Sequence, residues 1–205
     1  MLRTPKALVF TIPLLIGGGV AGLMLMEASS AKTHFVLPTY GHVPEFVLVD
    51  QNGQPISREA LKGMVWIADF IFTRCAGQCP MMSDEMARLA ATFRTHGSVK
   101  LISFTVDPDW DTPEVLARYA KRYGAASEQW HFVTGDKEEL WRVCQEGFRL
   151  AVAADGGTVE EPITHSVRFV LVDREGNIRG YYDATDSAAM KQLHHDLRRL
   201  LQKAS

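Results

Sequence analysis

The sequence predicts an α/β domain with a central mixed sheet flanked by helices. Apolar runs typical of buried strands alternate with helical patterns through the middle of the chain, and strands joined by helical crossovers pair in parallel and carry helices on both faces. Turn sequences at 50–53 and 173–177 follow apolar segments, which indicates a hairpin on either side of this middle section. The 205 residues, 46% apolar and 22% charged, fit one globular domain and exclude a disordered or coiled-coil chain. The net charge of −2 argues against nucleic acid as a partner.

The N-terminal segment predicts attachment to a membrane. Residues 7–26 carry no charged side chain and are long enough for a helix of about 20 residues across a bilayer. Arg3 and Lys6 precede this segment, and basic residues on a short N-terminal side favour a cytoplasmic N-terminus. A cleaved signal peptide is the alternative, since the small residues at 29–31 suit a signal peptidase. Either interpretation places the domain on the periplasmic or extracytoplasmic side of a bacterial-type inner membrane, where a cysteine pair can form a disulfide.

This pattern divides the chain into three parts. Residues 1–27 form a single-pass membrane anchor or signal sequence, 28–42 a linker, and 43–205 the folded domain. The linker carries Ser, Thr, Pro and Gly without periodicity, as expected for a tether. The domain opens with a predicted strand at 45–49, and the turn at 50–53 contains the Asn-Gly pair that is typical of hairpins.

A short helix and a buried strand follow this hairpin. Ser57 is the predicted N-cap of the helix, which ends near Leu61. The strand at 64–72 is nearly continuously apolar, as expected for a central strand covered on both faces, although Asp69 interrupts it. The next helix begins at Pro80, because proline is favoured at the first helical position. Its apolar face recurs at steps of three and four residues, at Met82, Met86, Leu89, Ala90 and Phe93.

The remaining elements alternate in the same way. Thr112 and Asp136 are predicted N-caps, and Gly124 is a predicted helix stop. The remaining strands are predicted at 99–106, 130–133, 167–172 and 178–182, and the remaining helices at 113–123, 136–144 and 187–201.

Two of the three cysteines, Cys75 and Cys79, lie between the central strand and the long helix. Open α/β sheets bind ligands at this carboxyl edge. Because N–H groups at a helix N-terminus favour negative charge, we expect Cys79 to form a thiolate more readily than a free cysteine, with Arg74 adding to the effect. The three residues between the cysteines allow a redox-active disulfide and also let both sulfurs converge on one ion. A pair of buried small hydrophobes, or an inert disulfide, is the alternative.

His165 is the best candidate for a third metal ligand. It lies immediately before the predicted strand at 167–172, although an ordinary surface histidine is the alternative. Two thiolates and one imidazole suit copper, with zinc as the main rival, and such a set accepts both Cu(I) and Cu(II).

Three segments of the chain resemble the SCO/SenC family of copper chaperones. They are 69–82, which contains Cys-Ala-Gly-Gln-Cys-Pro, 103–113, which reads Ser-Phe-Thr-Val-Asp-Pro-Asp-Trp-Asp-Thr-Pro, and 164–173, which begins Thr-His-Ser. The resemblance spans residues 43–202 and implies a membrane-anchored thioredoxin-like domain that holds copper, as Cu(I) or Cu(II), through Cys75, Cys79 and His165. It further implies delivery to the binuclear copper centre in the copper-bearing subunit of cytochrome c oxidase, with another copper chaperone or a thiol oxidoreductase as a further partner.

The chain departs from the family pattern at two places. Many members have an acidic residue between the cysteines and an aspartate before the histidine, whereas this chain has Ala-Gly-Gln at 76–78 and Thr164. Neither departure removes a ligand.

Several other residues have an ordinary structural interpretation. Asp107 and Asp111 lie near the same sheet edge, but aspartate before Pro or Thr-Pro is typical of turns and caps. Core packing is expected for Met81 and Met82, a buried thiol for Cys144, and a solvated surface for His194 and His195.

These observations support three function hypotheses. A metallochaperone, rather than an enzyme, is the leading one. The second is a thiol-disulfide oxidoreductase that uses Cys75 and Cys79 to keep the copper-site cysteines of a partner reduced, with His165 dispensable. A peroxidase of the peroxiredoxin kind is the third, because the fold is related.

Overall fold

The computed structural model describes residues 36–126, 128–149, 152–153, 164–165 and 167–202. From Leu37 onwards the chain forms one compact unit. The strands are β1 (Gly41–His42), β2 (Val47–Asp50), β3 (Pro55–Ser57), β4 (Val65–Ile71), β5 (Val99–Thr105), β6 (Trp130–Thr134), β7 (Val152–Ala153), β8 (Thr164–His165), β9 (Arg168–Val172) and β10 (Asn177–Asp183). The α-helices are α1 (Gln78–Thr92), α2 (Pro113–Arg122), α3 (Lys137–Arg142) and α4 (Ser187–Gln202), with a 3-10 turn at Glu59–Leu61 and a π-helical turn at Val143–Gly147.

Eight strands form one mixed sheet in the order β1-β10-β9-β4-β5-β6-β2-β3. The central strands β4, β5 and β6 are parallel, and the others pair antiparallel. All seven residues of β4 are buried, as a strand covered on both faces requires. The predicted mixed sheet with flanking helices is therefore confirmed.

The two faces of β4 pack against different partners. Phe148, which follows the π-helical turn, packs on Trp66, Phe70 and Phe104 of β4 and β5, with ring centroids 5.1–5.9 Å apart. Alternate residues of a strand point to opposite faces. Asp69 therefore points to the other face.

Most predicted helix boundaries lie close to the observed ones. Thr112 and Asp136 cap α2 and α3, since their side chains accept hydrogen bonds from the backbone N–H groups three residues later. The long helix begins at Gln78 instead of Pro80, so the proline is its third residue. Proline is tolerated there because the first-turn N–H groups have no partner within the helix.

Both predicted hairpins are present and share one turn geometry. Oδ1 of Asp50 accepts hydrogen bonds from the N–H groups of Asn52 and Gln54, and Oδ1 of Asp173 accepts them from residues 175 and 177. Gly53 and Gly176 have φ of 70° and 83°, in the left-handed region that these turns need.

The folded unit starts earlier than the sequence pattern indicates. The predicted linker ends at residue 42, yet Leu37 is buried and the N–H of Tyr40 donates to the carbonyl of Ile178. Strand β1 pairs with β10. A strand of two residues is too short to show any periodicity, which is why sequence patterning missed it.

The predicted membrane anchor at 7–26 lies outside the described residues. Among the helices that are described, none is long and apolar enough to cross a membrane.

Candidate functional site

The loop between β4 and α1 carries the cysteine pair at the carboxyl edge of the parallel strands, where the sequence predicts it. Cys79 is the second residue of α1 and is fully buried, and Cys75 is 8% exposed. Both carry thiol side chains, and the N–H of Cys75 donates to the carbonyl of Phe72 at 3.1 Å. Cys75 is therefore the more accessible of the two residues.

The thiol of Cys79 is harder to ionise than that of a free cysteine. A side-chain hydrogen bond with Cys75 raises the pKa of Cys79, and burial raises it further. The expected lowering of this pKa by the helix N-terminus is therefore wrong, because the neutral thiol is stabilised by its neighbour and the thiolate is kept from water. The pair is a hydrogen-bonded dithiol, and its thiols must lose protons to bind a metal.

A buried polar chain lies on the face of the sheet that Asp69 occupies. The hydroxyl of Ser103 donates to Oδ1 of Asp69 at 2.5 Å, and Nε1 of Trp130 donates to the Ser103 hydroxyl at 2.9 Å. The negative charge of Asp69 also contributes to the raised pKa of Cys79. The only sequence signal for these buried polar side chains was a charged residue, Asp69, inside an apolar strand.

The loop after β5 is bonded to the cysteine loop. The fully buried carboxylate of Asp111 accepts two hydrogen bonds from Thr73, and Asp107 accepts two from the guanidinium of Arg74. Turn chemistry does occur here, since the N–H of Asp111 donates to the carbonyl of Asp107. The interpretation of both aspartates as turn and cap residues was therefore incomplete, because no local pattern reveals a bond to a distant loop.

Arg74 is also held away from the expected role beside the thiols. Its guanidinium carbon lies 4.6 Å from the ring centroid of Trp110, whose side chain is 52% exposed. Arg74 thus pairs with Asp107 and packs against the exposed Trp110 ring. It is not among the largest causes of the pKa shift of Cys79.

His165 is described only at the backbone. It lies in β8, opposite Val152 of β7, in a two-stranded sheet separate from the main one. Among the side chains that the structure describes, no group of three or more His, Cys, Asp or Glu residues is placed to hold a metal ion. The described part of the candidate site is therefore the cysteine pair, and the third ligand stays a prediction.

The remaining candidates mostly have the expected environments. Met82 is fully buried and Met81 packs against the core, while burial raises the pKa of Cys144 to about 12. His195 is exposed. His194 differs from the expectation, because its ring stacks on Phe93 with centroids 5.9 Å apart and burial lowers its pKa.

Comparison with known proteins identifies sequence relatives along most of the chain. The model of the SCO1/SenC family matches residues 38–202. The SCO1 protein homolog of Bacillus subtilis is 32% identical over 186 residues, covering 89% of this chain and 95% of the relative. A protein of Stutzerimonas stutzeri, whose name proposes that it binds copper, is 35% identical over 151 residues and covers 73% and 72%.

Solved structures match the fold. A SCO1/SenC family lipoprotein of Bacillus anthracis is 29% identical with a TM-score of 0.72, over 78% of this chain and 95% of the other. BsSco, a member of the Sco family of cytochrome c oxidase assembly proteins in which a disulfide switch was identified, is 30% identical with a TM-score of 0.70, over 80% and 96%. Copper-bound ScoI of Bradyrhizobium japonicum, at 23% identity and a TM-score of 0.62 over 78% and 99%, shares the fold.

Proposed function

The chain belongs to the SCO1/SenC family, and from this premise we propose that it is a copper metallochaperone. It binds one copper ion through Cys75, Cys79 and His165 and delivers it to the binuclear copper centre of cytochrome c oxidase. The observation that carries the proposal is the hydrogen-bonded dithiol at the carboxyl edge of the sheet. The name of the Stutzerimonas stutzeri relative and the assembly role named for BsSco support copper as the cargo and oxidase assembly as the setting.

The chemistry of this donor set suits a carrier. Two thiolates and an imidazole bind copper in both oxidation states, and three protein ligands leave room for a donor from a client protein. Cys75, which is 8% exposed, offers the sulfur from which an incoming donor would take the ion. Because bound copper replaces thiol protons, binding releases protons and weakens as the pH falls.

A thiol-disulfide oxidoreductase remains the second candidate function. Two thiols in hydrogen-bond contact are also close enough to form a disulfide, and BsSco is described with a disulfide switch. The raised pKa of Cys79 makes it a poor attacking thiolate, so Cys75 would attack the partner's disulfide. Both roles can coexist, since copper loading requires the dithiol.

The proposal places the domain outside the cytoplasm on a single-pass anchor. Residues 1–27 would supply the anchor, with 7–26 in the bilayer, and the domain would lie on the periplasmic or extracytoplasmic side of the inner membrane. The lipoprotein of Bacillus anthracis supports association with a membrane.

A titration of the reduced chain with Cu(II), in detergent, tests the copper site. We expect a thiolate-to-copper charge-transfer band that saturates near one ion per chain and is lost in Cys79→Ala. His165→Ala should lower the affinity and shift the band, whereas His195→Ala, which changes an exposed histidine, should leave both unchanged.

Two outcomes contradict parts of the proposal. An unchanged affinity in His165→Ala would remove the histidine from the ligand set. Absence of the band, with Cys75 and Cys79 oxidised to a disulfide, would favour the oxidoreductase, and turnover of a disulfide substrate would then support it.

A further inference from the structure

Two carboxylates of the loop after β5 hold the residues that lead into the cysteine pair. We infer that Asp111 is a positioning residue for Cys75, acting through Thr73, and that Asp107 supports it through Arg74. We name Asp107 and Asp111 the carboxylate clamp. The inference deepens the proposed function, because the clamp would set how readily the two sulfurs meet one copper ion.

The inner arm of the clamp is a buried carboxylate with three hydrogen-bond donors. Asp111 accepts bonds from the N–H of Thr73 at 3.1 Å, the hydroxyl of Thr73 at 2.5 Å and the hydroxyl of Thr105 at 2.5 Å. A buried carboxylate is costly unless such bonds compensate for lost water. Burial indeed raises the pKa of Asp111, and the bonds from both threonines oppose the rise. The hydrogen bonds that offset this cost attach Asp111 to Thr73, 38 residues away in the sequence.

The outer arm holds the next residue of the same loop. Oδ2 of Asp107 accepts bonds from Nε and Nη2 of Arg74 at 3.2 and 2.6 Å, and the Trp110 ring covers the guanidinium. The two arms are joined, because the hydroxyl of Thr105 accepts a bond from the N–H of Asp107 while it donates to Asp111.

The clamp restricts the path of the chain immediately before Cys75. Thr73 and Arg74 are each held by one arm, and the N–H of Cys75 is bonded to the carbonyl of Phe72. The loop then continues through Ala-Gly-Gln at 76–78, which includes a flexible glycine. Fixing the start of this loop removes conformations in which the sulfurs lie apart, so less ordering entropy is lost when they close on an ion or on each other.

Two substitutions in the inner arm test this role. Asp111→Asn keeps the shape but leaves one acceptor oxygen where three donors now converge. Thr73→Val removes the hydroxyl that donates to Asp111, whereas Thr73→Ser keeps a hydroxyl at this position. Asp173→Asn is the matched control, because this buried aspartate also accepts several hydrogen bonds but lies beside the opposite edge of the sheet.

Two readouts are needed. The first is the Cu(II) affinity and the position of the charge-transfer band. The second is the equilibrium with glutathione, in which the protein dithiol reduces oxidised glutathione to two molecules of glutathione and becomes the disulfide. The second contains no copper and reports the effective concentration of one sulfur at the other.

We expect Asp111→Asn and Thr73→Val to lower the Cu(II) association constant and the equilibrium constant for disulfide formation with glutathione by about tenfold each. This is the effect of ordering about one more residue when the two sulfurs come together. Thr73→Ser should match the unmodified chain. Asp173→Asn should lower the melting temperature and leave both constants unchanged.

The outcomes separate this inference from the proposed function. The positioning role would be overturned if both constants in Asp111→Asn equalled those of the unmodified chain. It would also be overturned if Asp173→Asn lowered them as much as Asp111→Asn does. If Asp111→Asn does not fold, the contrast between Thr73→Val and Thr73→Ser decides instead. If the unmodified chain forms no copper–thiolate band but Asp111→Asn still shifts the glutathione equilibrium, the positioning role of the clamp is supported and the proposed chaperone function is contradicted.

Discussion

The two edges of the sheet use buried aspartates in different ways. At the amino edge, Asp173 binds the backbone of its own hairpin turn, two and four residues away. Asp50 binds its own turn in the same way, beside β6. At the carboxyl edge, Asp107 and Asp111 bind a different loop, 33 and 38 residues away. The position of the Asp173 turn follows from the strand register, since Val172 lies opposite Trp66 near the start of β4.

The difference separates hydrogen bonds that stabilise a local turn from hydrogen bonds that position the candidate site. A bond to a neighbouring turn residue can form as soon as the hairpin forms, and it stabilises that hairpin alone. A bond between two distant loops can form only when β4 and β5 are already paired, with Ile71 beside Thr105. It therefore fixes the relative position of the loops, as the proposed copper site at Cys75 and Cys79 requires.

The largest expected effect comes from breaking the carboxyl edge at its sulfurs. Cys79→Ala should reduce copper affinity by more than about a hundredfold, since even second-shell changes at metal sites cost 10–100-fold. Cys144→Ala is the matched control, because Cys144 is equally buried and has no thiol neighbour among the causes of its pKa shift. Copper titration of both variants checks the prediction, and equal losses would contradict the placement of the site.

The next effect comes from breaking the amino edge at Asp173. Asp173→Ala should lower the free energy of unfolding by about 3 kcal/mol, because it orphans two backbone N–H groups and the mostly buried Arg179. Denaturant titration measures this loss. Copper affinity should not change, and a parallel fall in affinity would show that the two edges are not independent.

A smaller effect distinguishes the two hairpins by the pH dependence of their contributions to stability. Asp173 pairs with the guanidinium of Arg179, whereas Asp50 lies 3.2 Å from Nδ1 of His131. Burial lowers the pKa of His131 below its usual value of 6.5; Asp50 opposes this shift and Lys100 adds to it.

The unfolded chain therefore takes up the His131 proton first as the pH falls. Stability should decrease as the pH falls below about 6.5. Asp50, whose pKa is lowered because its turn and His131 hydrogen bonds outweigh the opposing effect of burial, should lose its contribution only below about pH 4. Denaturant titrations at pH 7.5 and 5.5 check this, and His131→Gln should flatten the difference.

The smallest effect compares the two arms of the clamp. Arg74→Met should lower copper affinity only about twofold, because Arg74 is 45% exposed and exposed ion pairs contribute little. The loss should be smaller than that of Asp111→Asn in the same assay. A larger loss would make the outer arm the main positioning element.

Local patterns predicted most of the fold. The cap residues Thr112 and Asp136 and both Asp-headed turns could be predicted because their bonds reach only a few residues along the chain. Strand β1 and the early start at Leu37 could not, because their partners lie on β10, far away in the sequence.

The sequence by itself determined the alternating elements, the position of Cys75 and Cys79 after the central strand, and the resemblance on which copper binding rests. The elements and the cysteine positions follow from periodicity, spacing and residue type, and the resemblance rests on the three matching segments. Only the tertiary structure decided that Cys79 is buried against Cys75 with a raised pKa, and that Asp111 holds Thr73. Burial and long-range hydrogen bonds depend on which elements pack together, and residue spacing along one segment carries no record of them.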